Sequence, residues 1–260
     1  MSYEILTVAL AQTSAVPGDV AANARDAAVA IKAAAVAGAS LIMFPELSLI
    51  GYDLDLLHDA GVWVSEDDPR LDVVRGAVQE SGLTAVVGAA YRHPDGTAWL
   101  ASLAFSPDGA HVHGKCHLHG RERELFRAAG PGALLDVDGW RVALAICYDA
   151  GVPGHAEDAA RRGAEVYAGS ALYTLEETRR IDLHFGARAM DHRMFAVVAN
   201  HAGSGPGWVS CGGSGAWHPD GTRLTQAATG PGVFTAVLSR AEMAGLREKD
   251  ARAGYPRAAG

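Results

Sequence analysis

The stretch Val142-Ala143-Leu144-Ala145-Ile146-Cys147-Tyr148-Asp149 decides how the rest of the chain is interpreted. Its apolar part belongs to a strand predicted over 140–146, and an uninterrupted apolar run is typical of a strand buried on both faces. The strand carries the thiol of Cys147 at its carboxyl end, where α/β folds commonly place ligand sites, and a turn over 150–154 follows. A nucleophile beside backbone N–H groups is expected at such a place. A cysteine that only packs as a small apolar side chain is the alternative.

Strands and helices alternate on both sides of this segment. Apolar periodicity and turn residues predict strands at 5–12, 40–44, 84–91, 97–105, 110–118, 140–146, 164–168, 195–200, 215–218, 223–228 and 233–238, and helices at 20–37, 71–80, 157–162 and 175–192. Two mixed sheets, each covered by helices and stacked on one another, fit this order better than a single open parallel sheet. The predicted fold is therefore α/β, a four-layer α-β-β-α sandwich in one domain spanning residues 1–260.

The composition excludes several classes of partner. Of the 260 residues, 49% are hydrophobic and 20% are charged, and a chain of this length buries enough surface to fold without disulfides or a structural metal. The net charge is -8 and the basic residues form no cluster, so a nucleic-acid partner is not expected. The longest early apolar run, 33–44, is shorter than the ~20 residues of a membrane span. No membrane association is expected.

The cysteines and the N-terminus favour a cytoplasmic location. Cys116, Cys147 and Cys211 are widely spaced and odd in number, so they form no paired framework, as is usual in a reducing compartment. The first residues lack the basic segment that opens a secretory signal.

Lysine is scarce in this chain. There are nineteen Arg but only three Lys, at Lys32, Lys115 and Lys249. A Lys retained against such a background raises the question whether its position needs a compact ammonium with an adjustable pKa, which Arg cannot supply.

A carboxylate lies at the end of another predicted strand. Glu46 follows the apolar strand 40–44 and Pro45, and its neighbours are apolar. Desolvation would raise its pKa and make it suitable for general base catalysis. A carboxylate that caps the next turn is the alternative.

Histidines surround Lys115. With the alternation of a strand, one face would present His111, His113, Lys115, His117 and His119. Cys116 would point to the other face. The segment 111–119 could bind zinc, although zinc motifs usually place ligands across a turn or helix and add carboxylates or thiolates, and a Lys among them would repel a cation. A solvated His-rich strand is the simpler interpretation, and a zinc-binding module without hydrolytic activity is the alternative function.

Glu46, Lys115 and Cys147, in this order, resemble the catalytic set of the nitrilase, or carbon-nitrogen hydrolase, superfamily. The similarity covers nearly the whole chain. It includes Phe44-Pro45-Glu46 with Gly51-Tyr52, Lys115-Cys116-His117-Leu118 with Glu122, Cys147-Tyr148-Asp149, Arg188-Ala189-Met190-Asp191 with Ala199-Asn200, and Gly213-Ser214-Gly215. The resemblance implies the same four-layer fold and a hydrolysis of a non-peptide C–N bond through a thioester, without a cofactor.

The resemblance also implies a role for each matched residue. Cys147 corresponds to the nucleophile, Glu46 to the general base, Lys115 to the group that stabilises the oxyanion, and Glu122 to a second glutamate that orients the site. A small amide or N-carbamoyl compound is the expected substrate, with release of ammonia. Nitrile hydrolysis and acyl transfer to an amine are alternatives within the family. A catalytically silent relative that binds a carboxylate or a partner protein is a third interpretation, against which the retention of all four residues argues.

The chain departs from the family pattern after Cys147-Tyr148-Asp149. Residues 150–157 are smaller than the aromatic, Pro and Glu that usually follow, so the resemblance does not assign a substrate. Tyr52, Tyr148 and Tyr173 are candidate walls of the substrate pocket, or aromatics that pack near a sheet end. The resemblance further implies a homodimer paired through helices beside the active site, with the tail 240–260 contacting the partner. A frayed tail is the alternative.

Overall fold

The computed structural model of the chain describes residues 4–254 and contains two six-stranded sheets with helices on their outer faces. The strands are β1 Ile5–Gln12, β2 Leu41–Met43, β3 Thr84–Arg92, β4 Ala98–Ser106, β5 Gly109–Gly114, β6 Leu135–Val137, β7 Trp140–Ile146, β8 Val166–Ala171, β9 Phe195–Asn200, β10 Ser204–Gly205, β11 Trp208–Val209, β12 Gly215–Trp217, β13 Arg223–Gln226 and β14 Gly232–Ser239. The α-helices are α1 Val20–Val36, α2 Asp72–Ser81, α3 Glu122–Leu125, α4 Pro153–Arg161, α5 Thr178–His192 and α6 Arg240–Ala253.

The two sheets have the same design. The first runs in the order β14-β1-β2-β3-β4-β5 and the second in the order β13-β12-β9-β8-β7-β6. In each sheet three central strands are parallel, namely β1, β2 and β3 in the first and β7, β8 and β9 in the second, and antiparallel strands flank them. Because parallel strands end at the same edge of a sheet, the segments after β2, β7 and β8 meet at one end of the molecule.

The layers are held together by three apolar clusters. The middle cluster joins the inner faces of the sheets and includes Leu10, Met43, Leu144 and Val197, all fully or nearly fully buried. A second cluster packs α1 and α2 on the first sheet, and a third packs α4 and α5 on the second. This is the α-β-β-α sandwich that the sequence predicts, and no described helix is long and apolar enough to span a bilayer.

Several predicted boundaries need correction. The strand predicted over 110–118 ends at Gly114, since the chain then leaves the sheet. The helix predicted to start at residue 157 begins at Pro153, because proline at the first helical position has its φ angle preset and its missing N–H is no loss there. The helix predicted over 175–192 opens with one 3₁₀ turn, Leu175–Glu177, before α5. The short hairpin of β10 and β11 was not predicted.

The last described segment is helical and packs on its own chain. Helix α6 contains Asp250, which accepts a hydrogen bond from Arg193 at 2.5 Å, and Arg240, which bonds Glu165 at 2.7 Å. The helix is therefore not a frayed tail over 240–253. Residues 255–260 lie outside the described part of the chain, and a contact of 240–260 with a partner stays a prediction.

Candidate active site

Cys147 lies where the second sheet ends. Strand β7 stops at Ile146, and Cys147 opens a 3₁₀ turn with a φ angle of 47°, a left-handed conformation that is costly for a residue with a side chain. The carboxylate of Asp149 accepts a hydrogen bond from the Ile146 N–H at 3.0 Å and so fixes this turn. The Cys147 Sγ donates to the Leu172 carbonyl oxygen, 3.5 Å away, just beyond β8.

Glu46 lies where the first sheet ends. It follows β2 and Pro45, and its side chain is only 1% exposed. Its backbone passes so close to Gly88 of β3 that a Cβ at that position would overlap the Pro45 carbonyl and the Leu47 nitrogen. The Glu46 carbonyl oxygen lies 2.6 Å from Nε2 of His201, which is buried. Glu46 Oε1 is bonded to Lys115 and its Oε2 accepts no hydrogen bond in the described part of the chain, so the side chain does not cap the next turn.

Lys115 joins the two glutamates. The chain leaves β5 at Gly114, and Lys115 extends its ammonium into the interior, where its side chain is 1% exposed. Its Nζ lies 2.6 Å from Glu46 Oε1 and 2.7 Å from Glu122 Oε1. Glu122, the first residue of α3, also accepts hydrogen bonds from the Tyr52 hydroxyl and the His119 N–H, each at 2.7 Å. One positive charge is thus held between two carboxylates.

Burial and these charges determine the protonation of the site. Burial raises the pKa of Glu46 to about 7, against the opposing effect of Lys115. Burial alone would lower the pKa of Lys115, but Glu46, Cys147 and Glu122 outweigh it and the pKa rises above its ordinary value. Burial and the charge of Glu46 raise the pKa of Cys147 well above that of a free thiol, so its proton has to be removed during attack.

The second carboxylate oxygen of Glu46, Oε2, is not used by Lys115. Oε2 accepts no hydrogen bond from any residue that the structure describes. A carboxylate oxygen with a pKa near neutrality and an unused lone pair is a suitable acceptor for a proton from a thiol or a water molecule.

All seven site residues predicted from the sequence line one cavity of about 600 Å³. Tyr52 and Tyr173 form inner walls, and Tyr148, 40% exposed, lies at the mouth. Seven further lining residues were not identified from the sequence as pocket residues. They are His119, Leu172, Thr174, Glu177, Arg180, His184 and Trp208. They lie in the loop after β5, follow β8, belong to α5 or lie in β11, and no motif marks them as pocket residues.

The row of histidines predicted over 111–119 does not form. Because β5 ends at Gly114, His111 is exposed on the strand, His113 is buried, and His117 and His119 belong to the following loop. Cys116, predicted to point away from His113, lies close to it instead.

Comparison with known proteins identifies the family. The model of the carbon-nitrogen hydrolase family matches residues 7–248. An (R)-stereoselective amidase of a Pseudomonas species is 30% identical over 226 residues, which are 85% of this chain and 81% of that one. A hydrolase of Pseudomonas protegens, encoded in the 5' region of pqqF, is 28% identical over 90% of this chain and 83% of its own length.

A solved amidase structure from Nesterenkonia sp. AN1 superposes with a TM-score of 0.82 at 25% identity, covering 96% of this chain and 99% of that one. In that variant, acrylamide has undergone Michael addition at the active-site cysteine. The chain belongs to the carbon-nitrogen hydrolase family and is an amide hydrolase that acts through a cysteine.

Proposed function

We propose that Cys147 is the nucleophile of this hydrolase, with Glu46 as general base and Lys115 as the donor that stabilises the oxyanion. The observation that carries the assignment is that these three side chains reach one cavity from the ends of different strands. Lys115 Nζ is bonded to Glu46 Oε1 at 2.6 Å, and Glu46 Oε2 has no partner among the described residues and can accept a proton.

In the first half-reaction, Cys147 Sγ forms a bond to the amide carbon while its proton passes to Glu46 Oε2. The carbonyl oxygen takes the electron pair, and Lys115 Nζ and the Tyr148 backbone N–H stabilise the resulting oxyanion. The C–N bond then breaks, and Glu46 returns the proton to the departing ammonia or amine. The acyl group remains on Cys147 as a thioester.

In the second half-reaction, water attacks the thioester carbon. Glu46, ionised again after the first leaving group departs, takes a proton from the water, and the same donors stabilise the second oxyanion. The C–S bond breaks, Cys147 regains its proton from Glu46, and the carboxylic acid leaves. A pKa near 7 suits Glu46 to both directions of proton transfer at neutral pH.

Glu122 is a positioning residue in this proposal. It bonds Lys115 Nζ and is itself held by Tyr52 and His119, so it fixes the ammonium at one point of the cavity. A site whose donors are held in place before reaction loses little free energy to reorganisation.

The proposed substrates are small amides and N-carbamoyl compounds. The cavity of about 600 Å³ admits a small molecule, and its lining combines tyrosines with the paired charges of Glu177 and Arg180. Relatives include a 2-oxoglutaramate amidase of Bacillus subtilis, 24% identical over 81% of this chain, and a formamidase of Bacillus thuringiensis, 25% identical over 75%.

An ammonia-release screen tests the proposal. Carbamoyl amines, dicarboxylate monoamides and short aliphatic amides would be offered to the wild type, to Cys147→Ala and to Cys211→Ser, a second cysteine outside the cavity. Release by the wild type and by Cys211→Ser, with none by a folded Cys147→Ala, is expected. Full release by Cys147→Ala would refute the assignment, and nitriles or added amines in the same screen reveal those alternative reactions.

We propose that the protein is a cytoplasmic homodimer paired through α5. Helix α5 contributes Arg180 and His184 to the cavity, while Leu183 and Met190 on the same helix are 56% and 47% exposed, an apolar surface suited to a partner copy. Static light scattering on the wild type and on Leu183→Glu tests this, with a dimer expected to become a monomer. A monomeric wild type would contradict the pairing, and cell fractionation tests the location.

A further inference from the structure

A second cluster of reactive side chains lies behind the catalytic cavity. A ring nitrogen of His113, the Sγ of Cys116, a carboxylate oxygen of Asp149 and a ring nitrogen of His155 all lie within 4.8 Å of one another. None of these four residues lines the catalytic cavity. We propose that this cluster binds a zinc ion, as a site separate from the hydrolytic reaction.

His113 points to a missing partner. It is 6% exposed, and neither of its ring nitrogens has a hydrogen-bond partner among the residues that the structure describes. Leaving a buried polar group unpaired is unfavourable, so a fold seldom retains one without reason. Gly132 packs directly on Nδ1, where any side chain would overlap the ring. A metal bound by one ring nitrogen would supply the partner that this nitrogen lacks, and the glycine at 132 leaves room for the ring.

Neighbouring groups already orient His155 and Asp149. Nδ1 of His155 lies 2.8 Å from the Tyr167 hydroxyl, which leaves Nε2 directed at Asp149 Oδ2, 3.9 Å away. Asp149 Oδ1 is paired with the His117 N–H and with the His117 ring Nδ1, each at 2.8 Å, whereas Oδ2 accepts one hydrogen bond from the Ile146 N–H and keeps a lone pair for a metal. Outer hydrogen bonds of this kind are the usual support of histidine and carboxylate ligands.

The donor set fits zinc in number, type and charge. Two imidazoles, a thiolate and a carboxylate are the ligands zinc prefers, and the two anionic ligands balance its charge. Ligand atoms around tetrahedral zinc lie roughly 3.3–3.8 Å apart, which follows from bonds of about 2.0–2.3 Å, so no pair of ligand atoms has to approach by more than about 1.5 Å. The nearby Arg162 is paired with Asp158 at 2.9 Å, which offsets its repulsion of a cation.

The ligands connect the two segments that carry the catalytic residues. Cys116 follows Lys115 directly, and Asp149 is two residues beyond Cys147. A bound ion would cross-link the loop after β5 to the turn after β7. The site is therefore structural. It fixes the position of the Lys115 ammonium relative to the Cys147 thiol and takes no part in bond making.

The test uses tag-free protein in a Cys147→Ala background, because the catalytic thiol can itself bind zinc. Zinc alone, added to chelator-treated protein, is measured by titration calorimetry and by the rise in thermal midpoint, and cobalt by its thiolate charge-transfer absorption. One ion per chain is expected, with the cobalt absorption present. Cys116→Ser and His155→Gln should each weaken binding by on the order of 100-fold or more, since even an outer-shell partner contributes roughly 10–100-fold.

Cys211→Ser is the matched control and should bind like its parent. The proposal fails if the parent binds no stoichiometric ion, if its cobalt complex lacks the thiolate absorption, or if Cys116→Ser binds zinc as tightly as the parent. If a ligand variant does not fold, the zinc stoichiometry and the cobalt absorption of the parent protein decide whether the proposal holds. None of these readouts depends on turnover, so they are independent of the catalytic roles proposed for Glu46, Lys115 and Cys147.

Discussion

Lys115 Nζ lies 2.6 Å from Glu46 Oε1, and each of the two side chains is 1% exposed. An isolated buried charge is very costly, and here the pair is completed by Glu122, so that the interior holds two carboxylates around one ammonium. Burial, with a smaller contribution from the negative charge of Glu122, raises the pKa of Glu46 to about 7 although Lys115 acts in the opposite direction. The same cluster thus fixes the position of the Lys115 ammonium and gives Glu46 a pKa suited to a general base.

Replacing Lys115 by Arg should remove most activity. The planar guanidinium keeps the charge but cannot place one donor between two carboxylates and an oxyanion. Loss of an oxyanion donor typically lowers kcat by about 10²–10³. Steady-state ammonia release measures the effect, and thermal unfolding shows whether the variant folds.

Lys32→Arg and Lys249→Arg are the matched controls. Lys32 pairs with Glu80 on the surface, and Lys249 is exposed on α6, so both should retain wild-type activity. Equal tolerance at all three positions would mean that the scarcity of lysine is only compositional.

Activity should rise with pH through about 7. Glu46 accepts a proton in each half-reaction, so its carboxylate has to be ionised in the free enzyme, and its pKa is about 7. The kcat/KM should therefore fall about tenfold for each unit below that pH and level off above it. A profile that stays flat from about pH 5 to about pH 8 would contradict the role of Glu46, provided that the protein stays folded throughout.

Tyr52→Phe tests the positioning of Glu122. The Tyr52 hydroxyl donates to Glu122 Oε1 at 2.7 Å, and a hydrogen bond to a charged group contributes about 1.5–3 kcal/mol. We expect kcat to fall roughly 10-fold or more with a smaller change in KM. Tyr91→Phe, which alters a buried tyrosine outside the cavity, should leave both constants unchanged. Unchanged kinetics in Tyr52→Phe, as in Tyr91→Phe, would show that the Tyr52 hydrogen bond does not position Glu122.

Gly88→Ala should disturb Glu46 through the backbone. The added Cβ would overlap the Pro45 carbonyl and the Leu47 nitrogen, and overpacking of this kind costs about 1–3 kcal/mol. Both the thermal midpoint and kcat should fall. Gly76→Ala in helix α2, where a Cβ meets nothing within 4 Å, should instead stabilise by about 0.5–1 kcal/mol. A Gly88→Ala protein with normal stability and activity would show that the close approach is unimportant.

The sequence predicts the buried strands well because their signal is local. The bounds of β1, β7 and β9 agree with the predicted 5–12, 140–146 and 195–200, since uninterrupted apolar runs end where the backbone leaves the core. The family resemblance added the assignment of Glu46, Lys115, Glu122 and Cys147, and all four lie on one cavity.

The errors arise where tertiary contacts override the local pattern. The alternation of residues predicts that β5 continues to 118. Instead the Lys115 side chain turns inward to bond Glu46, 69 positions away, and Glu122, seven positions away, and neither contact is encoded in the local pattern. The pocket residue Trp208 donates its indole N–H to the Tyr52 carbonyl oxygen across 156 positions, a contact that no periodicity encodes. The cluster of His113 with His155 likewise depends on how the two sheets stack.

The most direct test of the account is the mass of the enzyme during turnover. The wild-type protein would be mixed with an accepted amide in excess, quenched in acid during turnover and analysed intact and after digestion, because Glu46 serves both half-reactions and its replacement would also prevent the thioester from forming. We predict a mass increase equal to the acyl group, located on the peptide that carries Cys147. An acyl group on Cys116 or Cys211, or the absence of any adduct from an enzyme that still turns over, would contradict the proposed thioester at Cys147.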